Sequence, residues 1–431
     1  MSLLLAYAYS YLGLLGLSLL ARAFLQDRWW WLGLLNSLTL YWFAPLITVL
    51  PIALFARQIP LWVGFWFALV VFLSLYGSLF LPPPKAGKRW RTGFRHSPHL
   101  SSRSISVLTY NLLQSNTDGA AVVKTLLEAD ADVVALQELN AEIAAVLERE
   151  LAQTYPYRLL ETGLPFRDRP IPPANSWSGL LSRYPARLLK NIGAELLRES
   201  VANHVRDEQR NYCSARNYCS AMPSQPAHNG TTVPQWLSYA SAAWATRQKV
   251  YQLDFGEPCS PSVPILLANI HGYPTKLGTL DCACLSKHAF VSWATRAREM
   301  QGRALAELAA RRNDPLIIAT DFNSTDQNHA YRLLAQTLTD SWREAGWGFG
   351  HTFGLRRHTF GAEKPIPLFF LLPRWLLRID YIFHSRHWIA HRVRLGQWDG
   401  ISDHRPVIAT LMLTAEDSGR HFDNRVTATH T

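Results

Sequence analysis

Asp403 and His404 stand in Ser402-Asp403-His404-Arg405-Pro406-Val407, about eighty residues after Asp321-Phe322-Asn323. Each motif abuts an apolar run of strand character. Leu316-Ile317-Ile318-Ala319 leads into the first, and Val407-Ile408-Ala409 follows the second. Carboxylates, an amide and an imidazole delivered to strand ends can hold a divalent cation and a phosphate while a water loses its proton. Four further places repeat the arrangement. Asn111 ends Ile105-Ser106-Val107-Leu108-Thr109-Tyr110, and Glu138 ends Asp132-Val133-Val134-Ala135-Leu136-Gln137. Asn269 and His271 end Ile265-Leu266-Leu267-Ala268, and Asp380 lies in Arg378-Ile379-Asp380-Tyr381-Ile382-Phe383. Any one of these would be a weak signal; a strand-end Asn, for instance, is usually a turn former.

The elements that must position these residues alternate in type. Period-two and short apolar runs predict strands at 105–111, 132–138, 179–183, 249–255, 265–271, 316–321, 378–383, 393–397 and 407–413. Helical periodicity predicts helices at 119–129, 141–151, 296–311 and 330–336. That order alone predicts an α/β domain over residues 104–415. Residues 197–246 interrupt it as an insertion loop. They contain a direct duplication, Arg-Asn-Tyr-Cys-Ser-Ala at 210–215 and again at 216–221, which reads as slippage in a tolerant surface segment. The polar tail 416–431 reads as disordered.

The ordered set of polar strand ends resembles the endonuclease/exonuclease/phosphatase superfamily, over roughly residues 104 to 413. The resemblance implies a four-layer α/β sandwich, two mixed sheets face to face with helices outside, and metal-dependent hydrolysis of a phosphoric ester. It implies Glu138 as the principal ligand of Mg2+ or Mn2+, assisted by Asn111 and approached by Asp403. His404 is implied as general base or as electrostatic partner of the phosphate, with Asp380 accepting from its other ring nitrogen. Asp321 would orient and help deprotonate the attacking water, and Asn323 would donate to a phosphate oxygen. His271 would stabilise phosphate charge or the leaving oxygen, braced by Asn269. The chain departs from the family pattern at Thr320, where Gly usually precedes Asp-Phe-Asn.

The N-terminal region has another character. Residues 1–21, 29–56 and 58–84 carry no charge, and each stretch is long enough to cross a bilayer as a helix. Three transmembrane helices are predicted, near 3–22, 31–55 and 60–81, in a membrane region 1–84 followed by a basic linker 85–103. Three spans place the Arg22/Arg28 loop on the same side as Lys85, Lys88, Arg89, Arg91 and Arg95, opposite Arg57. The positive-inside bias therefore predicts a multi-pass protein of the cell membrane with a cytoplasmic catalytic domain. Membrane-anchored bacterial relatives with a similar layout leave the outer face as the alternative.

The net charge of +11 suits an anionic partner, read here first as membrane topology. Five cysteines without zinc-like spacing exclude a structural zinc module and leave the compartment open. The apolar run 365–377, with Phe369, Phe370 and Trp375 as its interfacial residues, could enter the headgroup region beside Asp380. With the membrane tether and the basic linker, it points to a bilayer partner and a lipid or lipid-linked phosphoester substrate. A membrane-tethered nuclease is the runner-up, and an inactive membrane scaffold the third reading. No obligate protein partner is evident.

Overall fold

The computed structural model describes residues 1–81, 100–160, 178–189, 224–226, 232–234, 248–255, 263–273, 287–354 and 373–414. The N-terminal region contains α1 (Ser2–Phe24), α2 (Trp30–Ser37), α3 (Thr39–Trp42), α4 (Leu46–Ala56) and α5 (Ile59–Tyr76). Then follow β1 (Leu100–Asn111), α6 (Gly119–Ala129), β2 (Val133–Gln137), α7 (Ala141–Glu150), β3 (Tyr157–Leu160), β4 (Ser178–Ser182) and β5 (Ala186–Leu188). A short pair, β6 (Ser224–Pro226) and β7 (Thr232–Pro234), lies inside the insertion. The remainder is β8 (Gln248–Phe255), β9 (Val263–His271), α8 (Lys287–Arg311), β10 (Leu316–Asp321), α9 (His329–Leu334), β11 (Thr339–Asp340) and α10 (Ser341–Ala345). It closes with β12 (Phe353–Gly354), β13 (Trp375–Leu377), β14 (Asp380–His384), β15 (Trp388–Leu395) and β16 (Val407–Thr414).

Two six-stranded sheets result, in the orders β15-β16-β1-β2-β4-β3 and β11-β14-β10-β9-β8-β5. Each has one parallel pair, β1 with β2 and β9 with β10, among antiparallel neighbours. The central strands read as nearly continuous apolar runs because both of their faces are buried. Ile105, Val107, Val133 and Ala135 meet Ile265, Leu267, Ile317 and Ala319 between the sheets. Tyr110, Val134 and Leu136 pack outward on Val122 and Leu126 of α6 and Ile143 and Leu147 of α7. Ala268, Ile318 and Phe383 pack outward on Leu305 and Leu308 of α8 and on Tyr331 and Leu334 of α9. Side-chain caps start three of the helices: Asp118 accepts from Ala121 N, Asn140 from Ile143 N and Asp340 from Trp342 N, all at 2.8–2.9 Å. This is the four-layer sandwich expected from the motif order. The helix predicted to begin at Arg296 begins instead at Lys287, and the strand predicted at Val393 begins at Trp388.

Three segments are long and apolar enough to cross a membrane: Ser2–Phe24, Thr39–Ala56 and Ile59–Phe80. The second corrects the expectation of one helix over 31–55. The chain breaks around Leu38 and again at Phe43–Pro45, and α2 lies against the globular domain instead. Contacts within the turn and with the globular domain explain the break. Asn36 Nδ2 donates to Asp27 Oδ1 at 2.6 Å, and Ser37 Oγ to Asn328 Oδ1 at 2.9 Å. Gly33, lacking a Cβ, comes up against Thr295 while its carbonyl accepts from Asn328 Nδ2 at 3.0 Å.

The end of α5 meets the domain as well. Gly348 N donates to Leu79 O at 2.7 Å, Phe349 packs edge-on to Tyr76 and Phe80, and Tyr41 Oη donates to Leu376 O at 2.7 Å. The Arg22–Arg28 loop and the segment after α5 thus contact the same domain. Residues 85–99 of the linker, the duplicated 210–221, Phe369, Phe370 and the tail 416–431 lie outside the described residues.

Candidate active site

Register brings the polar strand ends together. In the second sheet Asp321 is flanked by His271 on β9 and Asp380 on β14; in the first, Asn111 pairs with Gln137, immediately before Glu138. The two sheets meet at this end. Asn111 Nδ2 donates across the sandwich to Asp321 Oδ2 at 2.8 Å, and Gln137 Nε2 donates to Asn269 Oδ1 at 2.8 Å.

Asp321 is the hub. Its Oδ1 accepts from Asn323 N at 3.0 Å, and its Oδ2 accepts from Asn323 Nδ2 at 3.2 Å. The same Oδ2 lies 3.5 Å from His271 Nε2 and 3.8 Å from His404 Nε2. Beyond His271, Glu138 Oε1 is 3.7 Å from the same Nε2, while Glu138 Oε2 accepts from Gln114 N at 3.0 Å. Glu138 and Asn323 both hold left-handed backbone, φ 53° and 52°, an unfavourable state for residues with a Cβ and one that collects at functional sites.

His404 Nδ1 bonds Asp380 Oδ2 at 2.8 Å, so the ring presents Nε2 toward Asp321. Burial disfavours a charged imidazole here, but Asp380 and then Asp321 more than offset it and raise His404 to about 10. Burial pushes the Asp321 carboxyl upward, and Asp380 adds to this, against the opposing pull of His404 and His271. The pocket therefore pairs an imidazolium with a carboxylate of enhanced basicity.

Asp321, Asp380 and His404 each offer a ligand atom, and these atoms lie within 4.8 Å of one another. Asp380 Oδ1 is buried with no hydrogen-bond partner, an acceptor suited to a hard cation. The pocket's oxygen-rich donor set thus fits a divalent metal. Its carboxylates are those of Asp321 and Asp380, with Glu138 one imidazole away; His404, protonated on both ring nitrogens, has no lone pair to offer a cation. Asn111 enters through its bond to Asp321. Asp403 is half-buried, bears on His404 through its charge, and accepts Gly354 N at its carbonyl, 2.9 Å away.

One expectation needs correction. Asn269 does not brace His271: its Nδ2 donates to Leu136 O and Gly179 O, both at 3.0 Å, so it ties β9 to the first sheet beneath Glu138. Thr320, the departure from the family pattern, is buried within β10 between Ile270 and Tyr381. Trp375 is half-buried, edge-on to Trp398 and beneath the Arg405 guanidinium.

Several contributors escaped sequence reasoning. Ser402 Oγ donates to Asn111 O at 2.7 Å and accepts His404 N at 3.0 Å, tying the end of β1 to the loop that leads into β16 within the first sheet. Thr352 Oγ1 accepts from Ile379 N and Asp380 N, both at 3.2 Å. Phe353 packs edge-on to the His404 ring, centroids 5.1 Å apart. Gly272 lets Phe322 cross it: a Cβ there would sit 2.2 Å from Phe322 O. Position beside His271 and His404 was the available signal for Gly272 and Ser402; Thr352 and Phe353 carried none.

The family model described as Endonuclease/Exonuclease/phosphatase family matches residues 108–404. Among solved structures, the chain is similar to an endonuclease/exonuclease/phosphatase from Bacteroides vulgatus. The two are 16% identical with a TM-score of 0.39, covering 72% of this chain and 100% of that one. Truncated Caenorhabditis elegans TDP2 is 13% identical with a TM-score of 0.40, covering 73% and 99%. The human Nocturnin catalytic domain with bound sulfate is 12% identical with a TM-score of 0.39, covering 72% and 95%. No curated protein matches the chain.

Proposed function

This chain belongs to the endonuclease/exonuclease/phosphatase family of metal-dependent phosphoric ester hydrolases, and from that premise we propose that it is a membrane-anchored phosphoesterase acting on a lipid or lipid-linked phosphoester. The observation that carries the reading is the docking of the hydrolase domain onto the apolar helices. Tyr41 Oη donates to Leu376 O at 2.7 Å, Gly348 N to Leu79 O at 2.7 Å, and α2 is bonded to Asn328. A catalytic domain fixed this way meets substrates held in a bilayer more readily than freely diffusing polymers.

In the chemical step, water attacks phosphorus in line with the leaving oxygen. Asp321, its basicity raised by burial, takes the proton of that water. His404, kept as an imidazolium by Asp380, donates from Nε2 to a phosphate oxygen, joined by the Asn323 amide and His271. Mg2+ or Mn2+, held by Glu138 with the Asp321 and Asp380 carboxylates beside it, would supply Lewis-acid neutralisation of the phosphate charge.

The test offers the full chain, with Mg2+, three substrates: a chromogenic phosphodiester, plasmid DNA and phospholipid vesicles. Lipid turnover lost in Glu138→Ala supports the proposal. Plasmid nicking without lipid turnover would transfer it to the nuclease reading, and inactivity on all three, unchanged by Glu138→Ala, would leave a scaffold.

A further inference from the structure

Away from the catalytic pocket, two half-buried arginines at the junction of the apolar helices and the domain keep guanidinium nitrogens without acceptors. Arg22, in the last turn of α1, donates Nη2 to Gln327 Oε1 at 2.6 Å, but its Nε is buried without an acceptor. Arg332, on α9, buries Nε and Nη2, also without acceptors. The two guanidiniums are close enough to act on each other as like charges. Among the described residues neither forms an ion pair.

Nearby carboxylates do not resolve this. Asp27 and Glu299 are the acids that bear on Arg332, and Asp326 and Asp27 those that bear on Arg22, but Asp326 is already paired with Arg343 and Arg378. Asp27 already accepts from Asn36 Nδ2 at 2.6 Å, His329 N at 2.6 Å and Asn328 Nδ2 at 3.3 Å. Burial and the charge of Asp27 push Glu299 up to about 7, so near neutrality it is only about half ionised. Three guanidinium nitrogens without acceptors are unfavourable unless an anion completes their hydrogen bonding.

The surroundings say which anion. Forked arginine donors match the oxygens of a phosphate. Trp29 and Trp31, stacked 5.7 Å apart and exposed, follow the same loop, and exposed Phe24 ends α1. Exposed tryptophans beside an apolar helix end mark headgroup depth. We propose that Arg22 and Arg332 form a phosphate-binding site at this junction, filled by the headgroup phosphate of an anionic phospholipid. The site lies outside the hydrolytic machinery, so it stands or falls independently of the reaction.

The full chain in a neutral detergent would be titrated with phosphatidylglycerol, phosphatidylcholine and inorganic phosphate. Retained ligand would be followed by native mass spectrometry and the unfolding midpoint by fluorescence. Wild type is expected to bind phosphatidylglycerol more tightly than phosphatidylcholine, and Arg332→Gln roughly tenfold more weakly, the factor lost with one charge-assisted contact. Arg332→Lys, which keeps the charge without the fork, should fall between. Arg57→Gln, at the opposite end of the bundle, should bind like wild type. Inorganic phosphate competing equally well, with the same Arg332 dependence, would support the phosphate site with a free ion as its occupant. Equal binding by wild type and folded Arg332→Gln and Arg332→Lys would overturn the proposal, as would an equal loss in Arg57→Gln.

Discussion

His404 shows how neighbours decide what a residue can do. An imidazole buried in protein would ordinarily lose its charge, yet Asp380 at 2.8 Å and the nearby Asp321 hold it positive to about pH 10. Activity that depends on this imidazolium should decline as pH rises through about 10. In Asp380→Asn the alkaline limb should shift toward the free-histidine value of ~6.5, which a pH profile of turnover would display. The linkage has a definite sign. The folded value lies above the unfolded one, so the stabilisation is complete below ~6.5 and is lost as pH rises through the folded value. The unfolding midpoint of the wild type should therefore fall between neutral pH and pH 10, and that of Asp380→Asn should fall less. Asp321→Ala and His404→Ala should each reduce turnover by roughly a hundredfold or more; near-normal rates in either would remove the role assigned to it. Glu138→Ala should abolish the response to added Mg2+, measured by metal titration.

At the scale of elements, the pocket depends on backbones brought unusually close. Gly272→Ala would place a methyl 2.2 Å from Phe322 O, and the strand ends carrying His271 and Asp321 would have to part. A loss of about 3 kcal/mol or more is expected, together with reduced turnover; an unchanged denaturation midpoint would contradict it. A second dependence runs from the membrane helices. Tyr41 bonds Leu376 O, Phe349 packs on Tyr76 and Phe80, and Phe349 stacks on His351. Next in the chain, Thr352 holds Asp380 N and Phe353 touches His404. Tyr41→Phe should cost about 1 kcal/mol, the worth of one hydrogen bond, read from the unfolding midpoint. A chain cut before Leu100 should lose turnover on soluble substrates too, because its 347–354 segment would lose its packing partners.

For the whole molecule, the apolar helices and the hydrolase domain form one packed body, and the surface left exposed on the helices is apolar. Leu14, Leu17, Ile47, Phe55, Phe67 and Val70 all lie outward, the kind of surface that suits a lipid surrounding. The chain should therefore sediment with vesicles at high salt, where purely electrostatic attachment is screened; release by salt would argue for peripheral binding. How much of this could be read in advance differs by kind. The α/β order, the strand ends Asn111, Glu138, His271, Asp321, Asp380 and His404, and the apolar spans were legible in the residues. Hydrophobic periodicity and local polarity are properties of contiguous sequence. The broken second span, Asn269 tying the sheets together and the hydroxyls of Thr352 and Ser402 were not. Each is decided by partners hundreds of positions or a sheet away, such as Asn328 against Gly33, Gln137 against Asn269 and Asn111 against Ser402. Chain chemistry determined which groups this protein can bring to a phosphate. Only the close packing of two sheets and a helical bundle decided which of them share a proton and which merely hold the others still.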